Sequence, residues 1–214
     1  MIHVFFYKAI GLHPHFDAYL LQLPVALQKQ ILRFRSRRDA QRSLFGKLLL
    51  VKGLEFLGLN KYRLSDLSYT SYQRPYFDHT FDFNIAHSGE YIACAISKTS
   101  KVGIDIEEVK PTVLDDFRLQ FTEAEWQKVV TSEDSLHAFY RLWTQKEATI
   151  KALGDGLSIP LKQIHISNGK AQWNNQELYL FELELGHTHL SFLATDTIAP
   201  EIVIHPVLFD KIPE

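Results

Sequence analysis

Two acidic residues, Asp105 and Glu107, lie two positions apart in a segment whose pattern suggests metal chemistry. They alternate with the apolar residues Val102, Ile104 and Ile106, which is typical of a β-strand that buries one face. Both carboxylates are therefore predicted on the opposite face, about 6.7 Å apart along the strand. Oxygen ligands at this spacing favour a hard cation such as Mg2+. The pattern also fits two solvated acids on an exposed strand, which would contribute little to stability.

A third acid, Glu147, lies in the longest predicted helix, which spans about residues 134–153. Trp143, four residues earlier, places Glu147 at the edge of the apolar stripe of this helix, so its carboxylate could complete a set of metal ligands. The order of Glu147 and Lys151, four residues apart, equally suits a salt bridge on the helix surface. The sequence leaves both interpretations open.

The stretch 29–52 is strongly basic, with eight cationic residues and one acid, Asp39. Residues 1–100 carry 13 basic and 7 acidic side chains, whereas residues 101–214 carry 10 and 18. This asymmetry indicates an anionic partner for the first half, although a solvated helix face would also explain the basic stretch. The basic residues are Lys29, Arg33, Arg35, Arg37, Arg38, Arg42, Lys47 and Lys52.

Two capping signatures mark where helices should begin. Ser36 with Asp39 predicts a helix that ends near Gly58, and Thr122 with Glu125 predicts a shorter one in the second half. Pro24 followed by an apolar-periodic stretch from Val25 to Phe34 predicts a further short helix, in addition to the long one at 134–153.

Short strands are predicted elsewhere. Residues 1–12 indicate a first strand, and residues 81–86 and 91–96 indicate a hairpin joined by a turn at 87–90. Residues 158–209 alternate in several short segments, which is typical of a small sheet. Helices and strands in this arrangement predict an α+β fold.

The composition excludes several classes of protein. The 214 residues are 46% apolar with a formal charge of −2, which argues against disorder, and no apolar run is long enough to cross a membrane. The first residues lack the pattern of a signal peptide, and the single cysteine, Cys94, suits a reducing compartment. We therefore expect a cytoplasmic protein without membrane association.

Three motifs, in order, resemble those of the 4′-phosphopantetheinyl transferases of the surfactin-synthetase-activating (Sfp-type) branch. They are FNIAHSG at 83–89, VGIDIE at 102–107 and FYRLWTQKEATIK at 139–151. The resemblance implies a single chain of two similar α/β subdomains in a pseudo-twofold arrangement, which we place at residues 1–101 and 102–214. We expect the first subdomain to hold the adenosine side of coenzyme A, and the second the metal and transfer residues.

The resemblance also implies an activity. The phosphopantetheine arm of coenzyme A would pass to a serine of an apo carrier protein, releasing adenosine 3′,5′-bisphosphate. Mg2+ would be held by Asp105, Glu107 and Glu147, and the catalytic residues would be Glu147, Lys151 and Asp105. Coenzyme A would be bound by Ser43, Arg42, Arg74, His87 and Lys151. We expect a monomer that binds coenzyme A and an acyl or peptidyl carrier and no nucleic acid.

Two departures from the family pattern concern coenzyme A. Ala86 stands where relatives commonly have a phosphate-contacting serine, and Leu27 and Gln30 stand where lysines are frequent. Weaker or altered binding of coenzyme A would follow. The rival interpretations are a metal-dependent nuclease or nucleic-acid-binding protein, and a homologue that binds coenzyme A or carrier without transfer.

The segment 111–121 is a candidate docking surface for the carrier. It joins the metal strand to the Thr122 helix and contains Val113, Leu114, Phe117 and Leu119 with one cation, Arg118. The same apolar residues would equally serve as core residues of an amphipathic segment.

Overall fold

The computed structural model describes residues 1–154 and 156–210. Its five α-helices are α1 Phe16–Leu21, α2 Val25–Ile31, α3 Arg37–Phe56, α4 Glu123–Val130 and α5 Ser135–Leu153. The strands are β1 Ile2–Lys8, β2 Ser68–Tyr69, β3 Pro75–Tyr76, β4 Asp82–Ser88, β5 Tyr91–Ser97, β6 Val102–Glu108, β7 His165–Ser167, β8 Lys170–Trp173, β9 Gln176–Glu182, β10 His189–Thr195 and β11 Ile202–Pro206. Short 3-10 turns connect several of them, one at Leu114–Gln120.

Two sheets carry the fold, each with a long helix on its outer side. The first sheet has the order β11-β1-β5-β4 and packs against α3, and the second has the order β6-β10-β9-β8-β7 and packs against α5. The first apolar core lies between the first sheet and α3, and the second lies between the second sheet and α5. A third apolar core lies between the sheets and includes Val4, Ala93, Ile104 and Leu193. The predicted α+β fold with two similar halves is confirmed.

The capping interactions expected at the predicted helix ends are present. The Ser36 hydroxyl accepts the Asp39 N–H at the start of α3, and Thr122 and Glu125 form a complete capping box at α4. Gly154 ends α5 with φ +87°, a left-handed conformation that glycine adopts without steric strain. None of the described helices combines the length and the apolar composition needed to cross a bilayer.

The end of the chain returns to the first sheet. β11 pairs with β1 in parallel, and the ring of Phe209 packs on Tyr7 and Phe45 in the first core. The segment predicted for the second subdomain, 102–214, therefore supplies an edge strand to the first sheet. This pairing is between residues about 200 positions apart, and sequence periodicity carries no information on it. Residue 155 and residues 211–214 of that predicted subdomain lie outside the described residues.

Candidate active site

Gly103 lets helix α5 lie directly on strand β6. A Cβ atom at Gly103 would overlap backbone atoms of Ala148 and Ala152, so no larger residue fits there without displacing the helix. The apolar residues of β6 face the core between the sheets, and Asp105 and Glu107 face α5. The close approach brings one turn of α5 against these two acids.

Asp105 is buried at the centre of this contact. Its side chain is 6% exposed, and its Oδ1 accepts a hydrogen bond from Lys151 Nζ at 2.6 Å. Its Oδ2 is buried without a hydrogen-bond partner among the described residues. Desolvation raises the pKa of Asp105, although Lys151 and the Ile106 N–H act in the opposite direction. The alternative of two solvated acids is wrong for Asp105, because α5 covers this face of β6.

Glu107 and Glu147 are half-buried beside Asp105. The Ser88 hydroxyl donates to Glu107 Oε2 at 2.9 Å, and the Trp143 side chain is near enough to oppose the rise in the pKa of Glu107. Burial raises the pKa of Glu107 and of Glu147, and for both acids the charge of Asp105 adds to the shift. Three carboxylates from β6 and α5 thus repel one another in one desolvated place.

These features agree with a divalent cation at the three acids. A buried carboxylate oxygen without a partner and mutually repelling acids are stabilised when a cation neutralises them. As the side chains stand, Lys151 is paired with Asp105, and no group of three His, Cys, Asp or Glu residues in the described chain is placed to hold a metal ion. The three carboxylates are of the type that suits a hard cation, which would have to displace Lys151 from Asp105.

His87 lies on the first-half side and is exposed. It belongs to β4 rather than to the predicted turn, which contains only Gly89 and Glu90 between the two strands. Desolvation of its ring, together with the cations Arg42 and Lys151, lowers the pKa of His87. His87 is therefore within electrostatic range of one cation from each long helix, a favourable place for an anion.

The other residues predicted to bind coenzyme A already have local partners. Arg42 pairs with Asp39 at 3.2 Å within α3, and Ser43 accepts a hydrogen bond from Lys47 at 3.0 Å.

Arg74 lies at the other end of the junction between the halves. It pairs with Asp82 at 2.9 Å and donates to the Val102 carbonyl, next to Gly154 at the end of α5. Its Nε is buried and has no partner in the described chain. The guanidinium is thus held where the starts of β4 and β6 meet the end of α5.

Sequence reasoning did not identify two residues that support the site. Lys146 has a fully buried side chain and donates to Glu125 and to the carbonyls of Leu161 and Ile164. Its place inside the family motif was the available signal, but its burial depends on the later fold. His189 of β10 contacts the Ser88 carbonyl through Nε2 at 3.1 Å.

Two of the three departures from the family pattern, Ala86 and Leu27, have structural explanations. Ala86 is 3% exposed and lies in the core between the sheets, on the same strand face as Asn84 and Ser88. Leu27 is buried in the first core, so a lysine at position 27 would have to turn its side chain out of that core. Gln30 is exposed.

The segment 111–121 divides between two roles. Leu114 and Phe117 pack on the small core around α4 and α5, with the Phe117 ring 5.2 Å from that of Phe139. Val113 and Leu119 are exposed, at 64% and 85% of their surface. Only the latter two are free to contact a partner.

Comparisons with known proteins agree with this geometry. Residues 101–196 match the family model of the 4′-phosphopantetheinyl transferase superfamily, and residues 12–99 match the model described as 4′-phosphopantetheinyl transferase, N-terminal. Together the two models account for nearly all of the chain between residues 12 and 196.

Three curated relatives illustrate the similarity. The chain is 34% identical to 4′-phosphopantetheinyl transferase gsp of Aneurinibacillus migulanus over 148 residues, which cover 68% of this chain and 62% of that protein. It is 33% identical to 4′-phosphopantetheinyl transferase Sfp of Bacillus subtilis over 142 residues, 63% of this chain and 61% of that one. With the L-aminoadipate-semialdehyde dehydrogenase-phosphopantetheinyl transferase of Xenopus laevis it shares 32% identity over 160 residues, covering 64% and 51%.

The aligned part spans less than two thirds of the length of each of these relatives. Among solved structures, holo-[acyl-carrier-protein] synthase of Thermotoga maritima is 21% identical with a TM-score of 0.36, covering 44% of this chain and 61% of that chain, a likeness too low to carry an argument. The two consecutive family matches and the curated relatives confirm the predicted family: the chain belongs to the 4′-phosphopantetheinyl transferase superfamily.

Proposed function

We propose that the protein transfers the 4′-phosphopantetheine group of coenzyme A to a serine hydroxyl of an apo carrier protein and releases adenosine 3′,5′-bisphosphate. The observation that carries the proposal is the cluster of Asp105, Glu107 and Glu147 against Lys151. Phosphoryl transfer needs cations at the transferring group and carboxylates that hold a metal, and this cluster offers both.

Asp105, Glu107 and Glu147 are proposed as the ligands of Mg2+. When bound, Mg2+ would neutralise charge on the pyrophosphate of coenzyme A. The unpartnered Oδ2 of Asp105 supports this assignment, because a buried carboxylate oxygen otherwise pays a desolvation penalty without compensation.

Lys151 is proposed to contact the pyrophosphate. Its side chain is 28% exposed and is bound to Asp105 at 2.6 Å, so it could turn to the substrate once another cation neutralises Asp105.

Glu147 is proposed to accept the proton of the carrier serine. Its carboxylate is half-buried beside the other two acids, and a carboxylate within hydrogen-bond reach of the serine can act as a general base. The serine itself needs alignment and a proton acceptor rather than activation by a further group.

Arg42, Ser43, Arg74 and His87 are proposed to bind the adenosine and the 3′-phosphate. Arg42 and Arg74 would exchange their partners Asp39 and Asp82 for the ligand. Calorimetry with coenzyme A and its dephospho form tests this part. Each lost charge-assisted hydrogen bond should weaken binding by about 1.5–3 kcal/mol, and equal affinities would contradict the assignment.

Val113 and Leu119 are proposed as the apolar part of the carrier surface, with Arg118 as its cation. The acidic, partly apolar helix that bears the serine of a carrier would complement them. A monomeric state, a cytoplasmic location and the lack of nucleic-acid binding stay predictions.

The activity is tested by incubating the protein with labelled coenzyme A, Mg2+ and a panel of apo carriers of fatty-acid, polyketide, peptide-synthetase and lysine-biosynthesis type. We expect at least one carrier to gain the label on its serine, and its serine-to-alanine form to gain none. No labelled carrier, under conditions in which an authentic transferase labels the panel, would contradict the proposal.

A further inference from the structure

We propose that Ser88 is a positioning residue that fixes the Glu107 carboxylate for metal binding and thereby couples the first half of the fold to the acidic cluster of the second half. This inference rests on the proposed metal-binding role of Glu107. Ser88 belongs to the last position of β4, on the opposite sheet from Glu107.

The Ser88 hydroxyl uses both of its hydrogen-bonding capacities at this place. It donates to Glu107 Oε2 at 2.9 Å and accepts the N–H of Glu108 at 3.1 Å. Because the Glu108 N–H fixes the rotation of the hydroxyl, its proton points at Glu107. The hydroxyl therefore orients the carboxylate, and it also sets the distance between β4 and the end of β6.

The backbone of Ser88 is held independently of its side chain. Its carbonyl oxygen contacts His189 Nε2 at 3.1 Å, and the next residue, Gly89, has φ +54°. A Cβ atom on Gly89 would come within 2.7 Å of the same His189 nitrogen. The turn therefore packs against β10, which holds the Ser88 hydroxyl in place independently of Glu107.

The Trp143 side chain lies near Glu107 on the α5 side. The carboxylate accordingly lies between a hydroxyl of the first half and an indole of the second. Outer partners that orient a metal ligand typically alter metal affinity by about 10–100-fold when removed. Ser88 has the geometry of such a partner, although it touches neither the substrate nor the metal in this role.

The test measures Mn2+ binding to the full chain by the electron paramagnetic resonance signal of the free ion, without coenzyme A or carrier. Ser88→Ala should raise the Kd for Mn2+ by about 10–100-fold, and Ser88→Thr, which keeps the hydroxyl, should restore binding to within a few fold. In a Glu107→Gln background, Ser88→Ala should have little further effect, because the hydroxyl acts through that carboxylate.

Ser100→Ala is the matched control. Its hydroxyl also connects the two halves, through Thr197 Oγ1 at 2.7 Å, at the opposite end of the strands from Glu107. We expect it to leave the Kd for Mn2+ unchanged. Thermal unfolding of each variant shows that binding is compared between folded proteins.

The outcomes separate this inference from the proposed function. An unchanged Kd in Ser88→Ala, or equal losses in Ser88→Ala and Ser100→Ala, would overturn the positioning role while the transfer activity could still be present. A normal Ser88 dependence with no labelled carrier would support the positioning role and overturn the proposed activity. A wild-type chain that does not bind Mn2+ would overturn both the metal assignment and this inference.

Discussion

Helix α3 brings its own glycine, Gly53, against the first sheet, whereas α5 lies on a glycine of the second sheet, Gly103. A Cβ on Gly53 would meet side-chain atoms of Ile96, which are able to shift, but a Cβ on Gly103 would meet the backbone at Ala148 and Ala152. The backbone cannot yield without moving the helix. The distance between helix and sheet is therefore fixed more rigidly in the second half, where both elements contribute site residues.

The ion pairs of the two halves also differ. Arg42 on α3 is paired within its own helix by Asp39, whereas Lys151 on α5 is paired across the fold with the buried Asp105. Acids in the second half also repel one another, which raises their pKa values. A cation that binds in the second half therefore relieves the repulsion among the acids. An anion that binds in the first half instead replaces Asp39 as the partner of Arg42.

Asp105→Asn should have the largest effect on transfer. It removes one proposed metal ligand and the charge that holds Lys151, so we expect the rate to fall on the order of 10³-fold. Folding should be retained, because asparagine has nearly the same shape and removes a charge that is buried. Asp196→Asn, a change of the same kind at a carboxylate that accepts the Lys101 N–H, should leave the rate unchanged. A rate within tenfold of wild type for Asp105→Asn would break the contrast between the halves.

The two lysines of α5 should separate stability from activity. Lys146→Met removes a fully buried cation and leaves Glu125 and two carbonyls without their donor, so we expect a loss of about 3–5 kcal/mol in the free energy of unfolding. Lys151→Met removes a partly exposed cation and leaves the buried Asp105 without its partner, so it should destabilise the metal-free fold less than Lys146→Met does but reduce transfer about 10²-fold. Denaturant unfolding and single-turnover kinetics of both variants check the split. The reverse pattern would mean that Lys151 is the structural lysine.

Glu147→Gln should stabilise the metal-free protein. Because the pKa of Glu147 is raised, the folded state holds its proton more tightly than the unfolded state, and ionisation opposes folding. The penalty is fully present above the raised pKa and is lost as the pH falls below the ordinary value of 4.5. We expect the variant to melt about 2–4 °C above wild type at pH 8, the shift that about 1 kcal/mol produces in a chain of this size, and the difference to shrink on acidification.

Saturating Mg2+ should reverse that order, because the ion stabilises wild type through the carboxylate that the variant lacks. A melting temperature of Glu147→Gln below that of wild type at pH 8 without metal would contradict the repulsion among the three acids.

The smallest effects are expected at the segment after β6. Val113→Ser and Leu119→Ser should raise the KM for the carrier a few fold and leave the melting temperature and the affinity for coenzyme A unchanged, since both residues are exposed. Leu114→Ser and Phe117→Ser should instead destabilise the fold by about 1–3 kcal/mol, because both residues pack on the α4–α5 core. An unchanged KM in the first pair would place the carrier elsewhere.

Local chemistry explains which features the sequence predicted. The caps at Ser36 and Thr122 and the alternation around Asp105 depend on neighbouring residues, and all three were confirmed. The burial of Lys146 and the bond between Ser88 and Glu107 depend on elements that meet only after folding. Patterns of period two or 3.6 give the face on which a side chain lies but not the element that covers it.

The acids near Asp105 show the same limit. Their shared face was predicted, but the burial of Asp105 was not, because the approach of α5 depends on the space left by Gly103. Gly103 among the β-branched residues Val102, Ile104 and Ile106 was the available signal, since a glycine in a strand often marks a place where another backbone comes close.

The most direct test of the account is the dependence of transfer on a divalent cation. An apo carrier that is modified in the panel is incubated with the wild-type protein and coenzyme A, once with Mg2+ and once with excess chelator, and its intact mass is measured. We predict a mass gain of one phosphopantetheine group with Mg2+, none with chelator, and recovery when Mg2+ is restored in excess. Full modification in chelator would contradict the assignment of Asp105, Glu107 and Glu147 as metal ligands.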